Sequence, residues 1–455
     1  MDLYLELSTL LGVEIVSKDR SRLEANSRDK WFASHLPDVV VEPKSAEQIS
    51  KLLRFANERK IPVTARGAGY GYVGGCVPEH GGIALALIGM NRIKEIAVAD
   101  GVAVVEPGVI TGDLQREARN HRLFYPPDPA SLKNSSIGGN IATNAGGPRC
   151  LKYGVTRQYV LGLEVVLADG TIVRVGGRTH KNKTGFDLVG LFVGSEGMLG
   201  IVTEAILRLL PLPPARASIS ASFPTVEDAA AAVQMILLRG FLPSALEIAD
   251  RFTLEAARRH LGREIVPDGN AHLLLDLDGH EASVRSEMEA LSAIIKSLGA
   301  LTLQSAFGDQ ACESLWDLRR GFSESLKATG LTKLNEDVTV PRGELVQLMK
   351  FAGDLQAKYG FPVACFGHAG DGNIHVNVMV ADPARAEVRQ NVERVLDDLF
   401  GFVIASGGAI TGEHGIGLAK KRWWPQAVSP ESLLLHQTVK RALDPAGILN
   451  PGKFL

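Results

Sequence analysis

The spacing of apolar positions changes character along this chain, and that change divides it. At 3–11, Leu3, Leu7, Leu10 and Leu11 recur at helical spacing and predict a short amphipathic helix. Ser45 with Gln48 has the form of a capping box, and Ile49, Leu52, Leu53 and Ala56 line one side of the helix it opens. Apolar runs at 37–41, 61–65, 83–88 and 102–105 read as strands, and a helix is expected near 111–121. Residues 160–175 read as a hairpin closed by a two-residue Asp169-Gly170 turn, and 201–209 as a further strand. The proline cluster at 211–214 marks a boundary. Beyond it, strands at 218–223, 245–248, 272–277, 363–366 and 374–380 are interleaved with helices near 226–238, 252–261, 281–298, 311–326 and 342–359. That order predicts a two-layer α+β unit. A closing helix takes Ser429 as N-cap and Pro430 as its first residue, and stops at Asp444-Pro445.

One stretch fits neither period. Residues 125–147, Y-P-P-D-P-A-S-L-K-N-S-S-I-G-G-N-I-A-T-N-A-G-G, combine turn-forming residues with buried-type Leu132, Ile137 and Ile141. Glycine lets backbone approach a ligand closely, and successive N–H groups with short polar side chains make a donor-rich cradle. A mobile surface loop is the plain alternative.

Composition narrows the classes. The 455 residues suffice for two or three domains, and 45% hydrophobic with 22% charged residues is ordinary for a globular protein. A net charge of −2 argues against nucleic acid as a partner. Asp2 and Glu6 stand where a secretory leader would be apolar, so no leader is expected, and no apolar run is long enough for a spanning helix. Cys76, Cys150, Cys312 and Cys365 are scattered, which predicts small core residues in a reducing compartment rather than an iron–sulfur or zinc set.

Gly69, Gly71 and Gly74 formally match G-x-G-x-x-G, but Pro78, Gly81 and Gly82 follow where a nicotinamide fingerprint must open a helix. That reading fails on context, and a backbone nest for a pyrophosphate remains. In G-H-A-G-D-G-N-I-H-V-N (367–377), a tight D-G-N turn could bring His368 and His375 together, with a carboxylate such as Glu413 completing a divalent-cation site. On spacing alone, structural histidines are the commoner reading. Arg319 and Arg320 in W-D-L-R-R-G-F-S and Lys333 in K-L-N-E-D-V-T-V-P offer cations suited to a carboxylate, while Glu336 and Asp337 could be strand-edge charges.

Taken together, P-V-T-A-R-G-A-G (62–69), V-E-P-G-V (105–109), P-P-D-P-A-S (126–131), S-S-I-G-G-N-I-A-T-N-A-G-G (135–147) and G-S-E-G-M-L-G-I-V-T (194–203) resemble the flavin-binding domain of the vanillyl-alcohol-oxidase superfamily. H-A-G-D-G-N-I-H with E-H-G-I-G (413–417) resembles the C-terminal half of FAD-linked D-2-hydroxy-acid dehydrogenases, the group of D-lactate dehydrogenases, the glycolate oxidase flavin subunit and D-2-hydroxyglutarate dehydrogenase. The resemblance implies an α+β fold with a helical entry (1–36), an FAD-binding domain (37–213), a substrate or cap domain (214–405) and a C-terminal segment (406–455) returning to the flavin.

It also implies a site. FAD would be lined by Arg66, Gly67, Ala68, Gly69, Tyr70 and Gly71, by Pro127, Asp128 and Ser131, and by Gly138, Gly139, Asn140, Thr143, Asn144, Gly146 and Gly147. Glu196, Gly197, Gly200, Ile201 and Val202 would complete the lining. No histidine stands at 66–75, so the flavin is expected to be non-covalent; Tyr70, Tyr72 and Met198 depart from the family's usual residues. His368, His375 and Glu413 would hold a divalent metal, zinc by expectation; His414 would be the base, Arg319 and Lys333 the carboxylate clamp, and Asn377 a contact to the substrate's hydroxyl or carboxylate. The implied reaction is oxidation of a D-2-hydroxy acid, D-lactate or glycolate, with hydride passing to flavin. Electrons would leave to a quinone, a cytochrome, electron-transfer flavoprotein or an iron–sulfur partner. The chain would be cytoplasmic or held at the inner membrane through a partner, as a homodimer or as a subunit relaying electrons in a larger complex. A metal-dependent hydrolase would leave the N-terminal half without a task.

Overall fold

Val39–Val41, Val63–Arg66 and Ile83–Ala86 are short apolar runs that pair in parallel, and Val16–Ser17 adds antiparallel at one edge. The computed structural model describes residues 2–455. The helix Ala46–Arg59 packs Ile49, Leu52, Leu53 and Ala56 into the core beside this sheet, with Ser45 Oγ capping Gln48 N. A second, five-stranded antiparallel sheet runs in the order Ile93–Ala97, Val102–Val105, Ile201–Arg208, Val160–Val166, Ile172–Gly176. These elements belong to one unit, formed by residues up to Gly147, 154–212 and 413–455.

The other unit comprises Pro148–Tyr153 and Pro213–Gly412. Its seven-stranded antiparallel sheet has the order Thr302–Phe307, Ala215–Phe223, Ala271–Gly279, Ala245–Ala249, Val363–His368, Asn373–Val380, Thr332–Thr339. The short excursion at 148–153 is held by Asp278, which accepts from Lys152 Nζ at 2.5 Å and from Tyr153 Oη at 2.9 Å. The helices Val226–Leu238, Arg251–Leu261, Glu281–Ser297, Asp309–Lys327 and Leu345–Tyr359 follow the expected order.

Several expectations need correction. The hairpin at 160–176 closes through Ala168–Gly170, three residues between the Leu167 N to Thr171 O bond, with Gly170 at φ +80°; a two-residue turn is not formed. The stretch 125–147 is not loop throughout, because Ile137–Thr143 is a helix capped by Ser136 and ended by Asn144 at φ 52°. Helix Ala386–Ala405 and strands Ile93–Ala97 and Thr302–Phe307 were not expected. Cys312 and Cys365 are core residues, but Cys76 and Cys150 are only half-buried.

Candidate active site

In a sheet, residues directly opposite one another point to the same face, and alternate residues repeat it. Register therefore builds the centre of the second unit. Phe366 stands opposite His375, Ala364 opposite Asn377 and His368 opposite Asn373. Across the neighbouring pair, Lys333, Asn335 and Asp337 stand opposite Met379, Asn377 and His375. Gly367 faces Ile248, which places Glu247 beside His368. Period two thus gathers two histidines, two carboxylates, three amides and a lysine on one face.

The turn joining the two histidine strands tolerates no bulk. A Cβ on Gly372, at φ +86°, would run into the Val340 carbonyl, and one on Gly370 into Leu151. The imidazole centroids lie 5.6 Å apart, inclined at 81°.

Glu247 is the residue that sequence reasoning missed. It is 1% exposed, and its carboxylate receives His368 Nδ1 at 2.5 Å on one oxygen and Arg319 Nε at 2.6 Å on the other. Burial alone would raise its pKa, but the charges of His368 and Arg319 overcome that and hold it down at about 2. An ionised Glu247 makes Nδ1 the protonated nitrogen of His368 and leaves Nε2 as a lone-pair donor, the arrangement by which carboxylates orient metal-ligating histidines. The available signal was a single acid inside the apolar run A-L-E-I-A (245–249).

Asp337 is likewise no exposed edge charge. It is fully buried and accepts from Asn373 Nδ2 at 2.6 Å, Thr411 Oγ1 at 3.0 Å and Gly412 N at 2.8 Å, with His375 Nδ1 4.0 Å away. By pinning 411–412 it fixes the chain one residue before Glu413. His368 and His375 belong to this unit and Glu413 opens the returning segment of the first, and all three are of metal-ligating type. Two imidazoles and one carboxylate are a donor set for a divalent cation with a position left open.

The proposed clamp sits beside this array. Arg319, on Asp309–Lys327, lies 4.8 Å from the centre of the Phe366 ring. Lys333 Nζ donates to Ser323 Oγ at 2.8 Å, from the same helix one turn on. Burial, then the like charge of Lys327, pushes Lys333 down to about 8. Asn377 is fully buried, and its Nδ2 donates to the Ala364 and His375 carbonyls at 2.9 and 3.0 Å. Its Oδ1 has no partner among the described residues, so the amide offers a ligand an acceptor and no donor. That suits a hydroxyl and not a carboxylate.

In the first unit, two glycine segments meet backbone to backbone. A Cβ on Gly67 would collide with Ser136 Oγ, one on Gly138 would press against Pro107, and one on Gly147 against the Asp128 carbonyl. Ser136 Oγ takes the Ala68 amide at 3.3 Å. Arg66 is tied inward, with Nη1 donating to the Arg28 carbonyl at 2.6 Å; Lys30 lies 4.5 Å over the Tyr70 ring, and Gly71 O accepts from Lys30 N at 2.9 Å. Gln115 Nε2 donates to Pro127 O at 2.8 Å, and Ser131 O caps Asn134 and Ser135. Asn140 Nδ2 is committed to Thr111 Oγ1 at 2.7 Å, Asn144 Oδ1 to Arg157 N at 2.9 Å and Thr143 Oγ1 to Gly139 O at 3.3 Å. One polar atom of each side chain thus helps to build the cradle's shape. Gly146 is buried beside them.

The segment 194–202 lies on that short helix, with Gly194 N bonded to Ile141 O and Glu196 N to Ala142 O, both at 2.8 Å. Gly200 packs against Val165, Ile201 is in the core and Val202 is half-buried on the same strand. The Glu196 carboxylate accepts from Ile416 N at 2.7 Å and Gly417 N at 2.9 Å, anchoring the returning C-terminal segment. Burial pushes it up to about 7 against those two amides. In the same unit the rings of Tyr72 and His414 stack, with centroids 5.2 Å apart at 27°.

Other glycines stay uncrowded. A Cβ on Gly139, Gly194 or Gly197 would find as its nearest neighbour Ser136 Oγ at 3.3 Å, Asn144 Cβ at 3.5 Å or Ala65 Cβ at 3.7 Å. A core closed on its own side chains would occupy such positions. Gly194 and Gly197 stand at φ +82° and +70°, which itself favours glycine, and backbone without side-chain bulk suits a flat nucleotide cofactor.

Comparison with known proteins agrees with both halves. Residues 37–176 match the model of an FAD binding domain, and 212–454 match that of the FAD linked oxidases' C-terminal domain. The chain is 41% identical over 419 residues to the glycolate oxidase subunit GlcD of Bacillus subtilis, spanning 92% of this chain and 89% of that one. It is 35% identical over 425 residues to a D-lactate dehydrogenase of Anaerostipes hadrus, again 92% and 89%. Among solved structures, 4-ethylphenol oxidase from Gulosibacter chungangensis superposes with a TM-score of 0.78 at 22% identity, covering 99% of this chain and 96% of that one, and so shares the fold. With cofactor-binding and C-terminal halves both matched along one chain, this protein belongs to the family of FAD-linked oxidases.

Proposed function

We propose that the chain oxidises a D-2-hydroxy acid, D-lactate or glycolate, to the 2-oxo acid. The observation that carries this reading is Glu247, which joins a candidate metal ligand, His368, to a candidate carboxylate clamp, Arg319, through one buried carboxylate. A substrate with a hydroxyl and a carboxylate on adjacent carbons needs both groups held at a fixed separation. The substrates in the names of the Bacillus subtilis and Anaerostipes hadrus relatives have that form.

FAD would be held without a covalent bond by the backbone of the 66–71, 138–147 and 194–202 segments, and would supply a hydride acceptor for C2. A divalent ion on His368, His375 and Glu413, zinc by its donor set, would supply Lewis acidity at the hydroxyl oxygen. The chain's own residues do the rest. Arg319 and Lys333 pair with the carboxylate, and Lys333 carries its charge below about pH 8. Asn377 lines the same sheet face beside the hydroxyl, whose single proton is directed to His414. His414 takes the hydroxyl proton as C2 is oxidised, so the alcohol loses a proton to the protein and a hydride to the acceptor.

His414→Ala tests the assignment: FAD stays bound and its anaerobic reduction by substrate is nearly abolished. A fully active variant would refute the base role.

Electrons then pass to a quinone, a cytochrome, electron-transfer flavoprotein or an iron–sulfur partner. No described helix is long and apolar enough to cross a membrane, so contact with a membrane-bound acceptor runs through a partner or through the surface of a cytoplasmic protein. The second reading, a flavin subunit within a complex, is favoured by the subunit name of the Bacillus subtilis relative. Activity only after co-purification with a second chain would support it.

A further inference from the structure

We infer that Tyr72 is a positioning residue for His414, and that its ring rather than its hydroxyl performs that task. The inference rests on the reading of His414 as the base. Tyr72 and His414 stack within the first unit, and Tyr72 remains 41% exposed despite its size. The ring's exposed part leaves one face against His414, and an aromatic face suits a stacked imidazole.

The surroundings show why the stack would be stiff. Immediately after Tyr72, the Val73 carbonyl accepts from Leu418 N at 2.7 Å and Ala419 N at 3.1 Å. Gly74, at φ +72°, is wedged so that a Cβ would lie 3.0 Å from Trp31 and 3.1 Å from Leu418. On the other side, Glu196 fixes the Ile416 and Gly417 amides. Both chains carrying the rings are therefore pinned within a few residues of the stack. His414 itself precedes Gly415 at φ +87° and Gly417 at φ +48°, backbone with little side-chain bulk to confine an imidazole. Tyr72 supplies the wall that sequence neighbours lack. An imidazole held flat against a fixed ring keeps one edge toward the substrate, and misplacement of a catalytic group by about 1 Å can cost on the order of a hundredfold in rate.

The test uses the FAD-loaded full chain, reduced anaerobically in a stopped-flow instrument by D-lactate or glycolate, whichever reduces the wild type. Tyr72→Ala is expected to slow the limiting rate roughly tenfold to a hundredfold. Its FAD content and the substrate concentration giving half-maximal rate should stay within about twofold of wild type. Tyr72→Phe, which keeps the ring, recovers most of the rate. In a His414→Ala background, Tyr72→Ala adds no further loss. A Tyr72→Ala enzyme at wild-type rate, or a Tyr72→Phe enzyme as slow as Tyr72→Ala, overturns the inference. So does a Tyr72→Ala defect confined to FAD content or half-saturation. If His414→Ala itself remains fully active, the base assignment fails first and the positioning role falls with it. A wild type that neither acid reduces removes the functional reading and this inference together.

Discussion

Glu247 accepts a hydrogen bond from His368 Nδ1 at 2.5 Å while its second oxygen accepts from Arg319 Nε at 2.6 Å, so one buried carboxylate sets the orientation of an imidazole and a guanidinium at once. Neither partner is close in sequence; strand register brings the first and a helix the second. The carboxylate's ionisation is favoured by the hydrogen bonds from both partners, and the tautomer of His368 depends on the carboxylate.

Replacing Glu247 by glutamine keeps the shape and removes the charge. Metal affinity is expected to fall about tenfold to a hundredfold, the usual effect of losing a carboxylate behind a ligating histidine. His368→Ala should lower metal content further. Elemental analysis of protein dialysed against graded chelator measures both, and unchanged occupancy in His368→Ala would rule out its ligand role.

Glu196 makes folding stability depend on pH in a definite direction. Its folded pKa stands near 7 against an ordinary 4.5, raised by burial despite the amides of Ile416 and Gly417 and the nearby Lys453. A raised folded value means that its contribution is fully present below about pH 4.5 and is lost as pH rises through about 7. At about 1.4 kcal/mol per pH unit, that gap is worth about 3 kcal/mol. Glu196→Gln should flatten the fall in Tm between pH 5 and pH 8. An identical slope in the variant would show that this carboxyl is not the titrating group.

Gly139 separates room for a cofactor from room for a core. An alanine there requires the capping Ser136 Oγ, 3.3 Å away, to give by a few tenths of an ångström, against which helix propensity favours alanine over glycine by about 1 kcal/mol. Gly139→Ala protein should therefore fold and, without cofactor, melt no earlier than wild type, yet retain less FAD on gel filtration. Full retention would mean that the flavin does not approach this backbone.

Much of the fold was legible because amphipathic spacing and turn chemistry are local. Ser45, Pro430 and Asp444 marked helix ends, and the histidine hairpin was visible in D-G-N. Helix Ala386–Ala405 carried the signal as well: Val392, Val395, Leu399 and Val403 form a buried stripe at helical spacing, masked by charged residues between them. The hairpin turn at 168–170 was misjudged because Asp-Gly suits a two-residue turn as readily as the left-handed end of a three-residue one.

The site was legible only in its motif-bearing parts. Glu247 went unread and Asp337 read as a possible strand-edge charge because their partners, Arg319 and His368 for one and Asn373 and Gly412 for the other, are brought by the fold and not by neighbourhood in sequence. Asn140 and Asn144 were expected at the cofactor from their motif, and their bonds to Thr111 and Arg157, which also shape the cradle, had no mark in the sequence. The Tyr72–His414 stack links residues more than 300 positions apart and left no local mark.

The most direct measurement is anaerobic reduction of the purified yellow protein by a panel of D- and L-2-hydroxy acids, followed through loss of flavin absorbance. The account predicts rapid bleaching by D-lactate or glycolate, slow or no bleaching by L-lactate, and loss of the response in His414→Ala with FAD still bound. Flavin that no 2-hydroxy acid reduces, or that L-lactate reduces faster than D-lactate and glycolate, would contradict it.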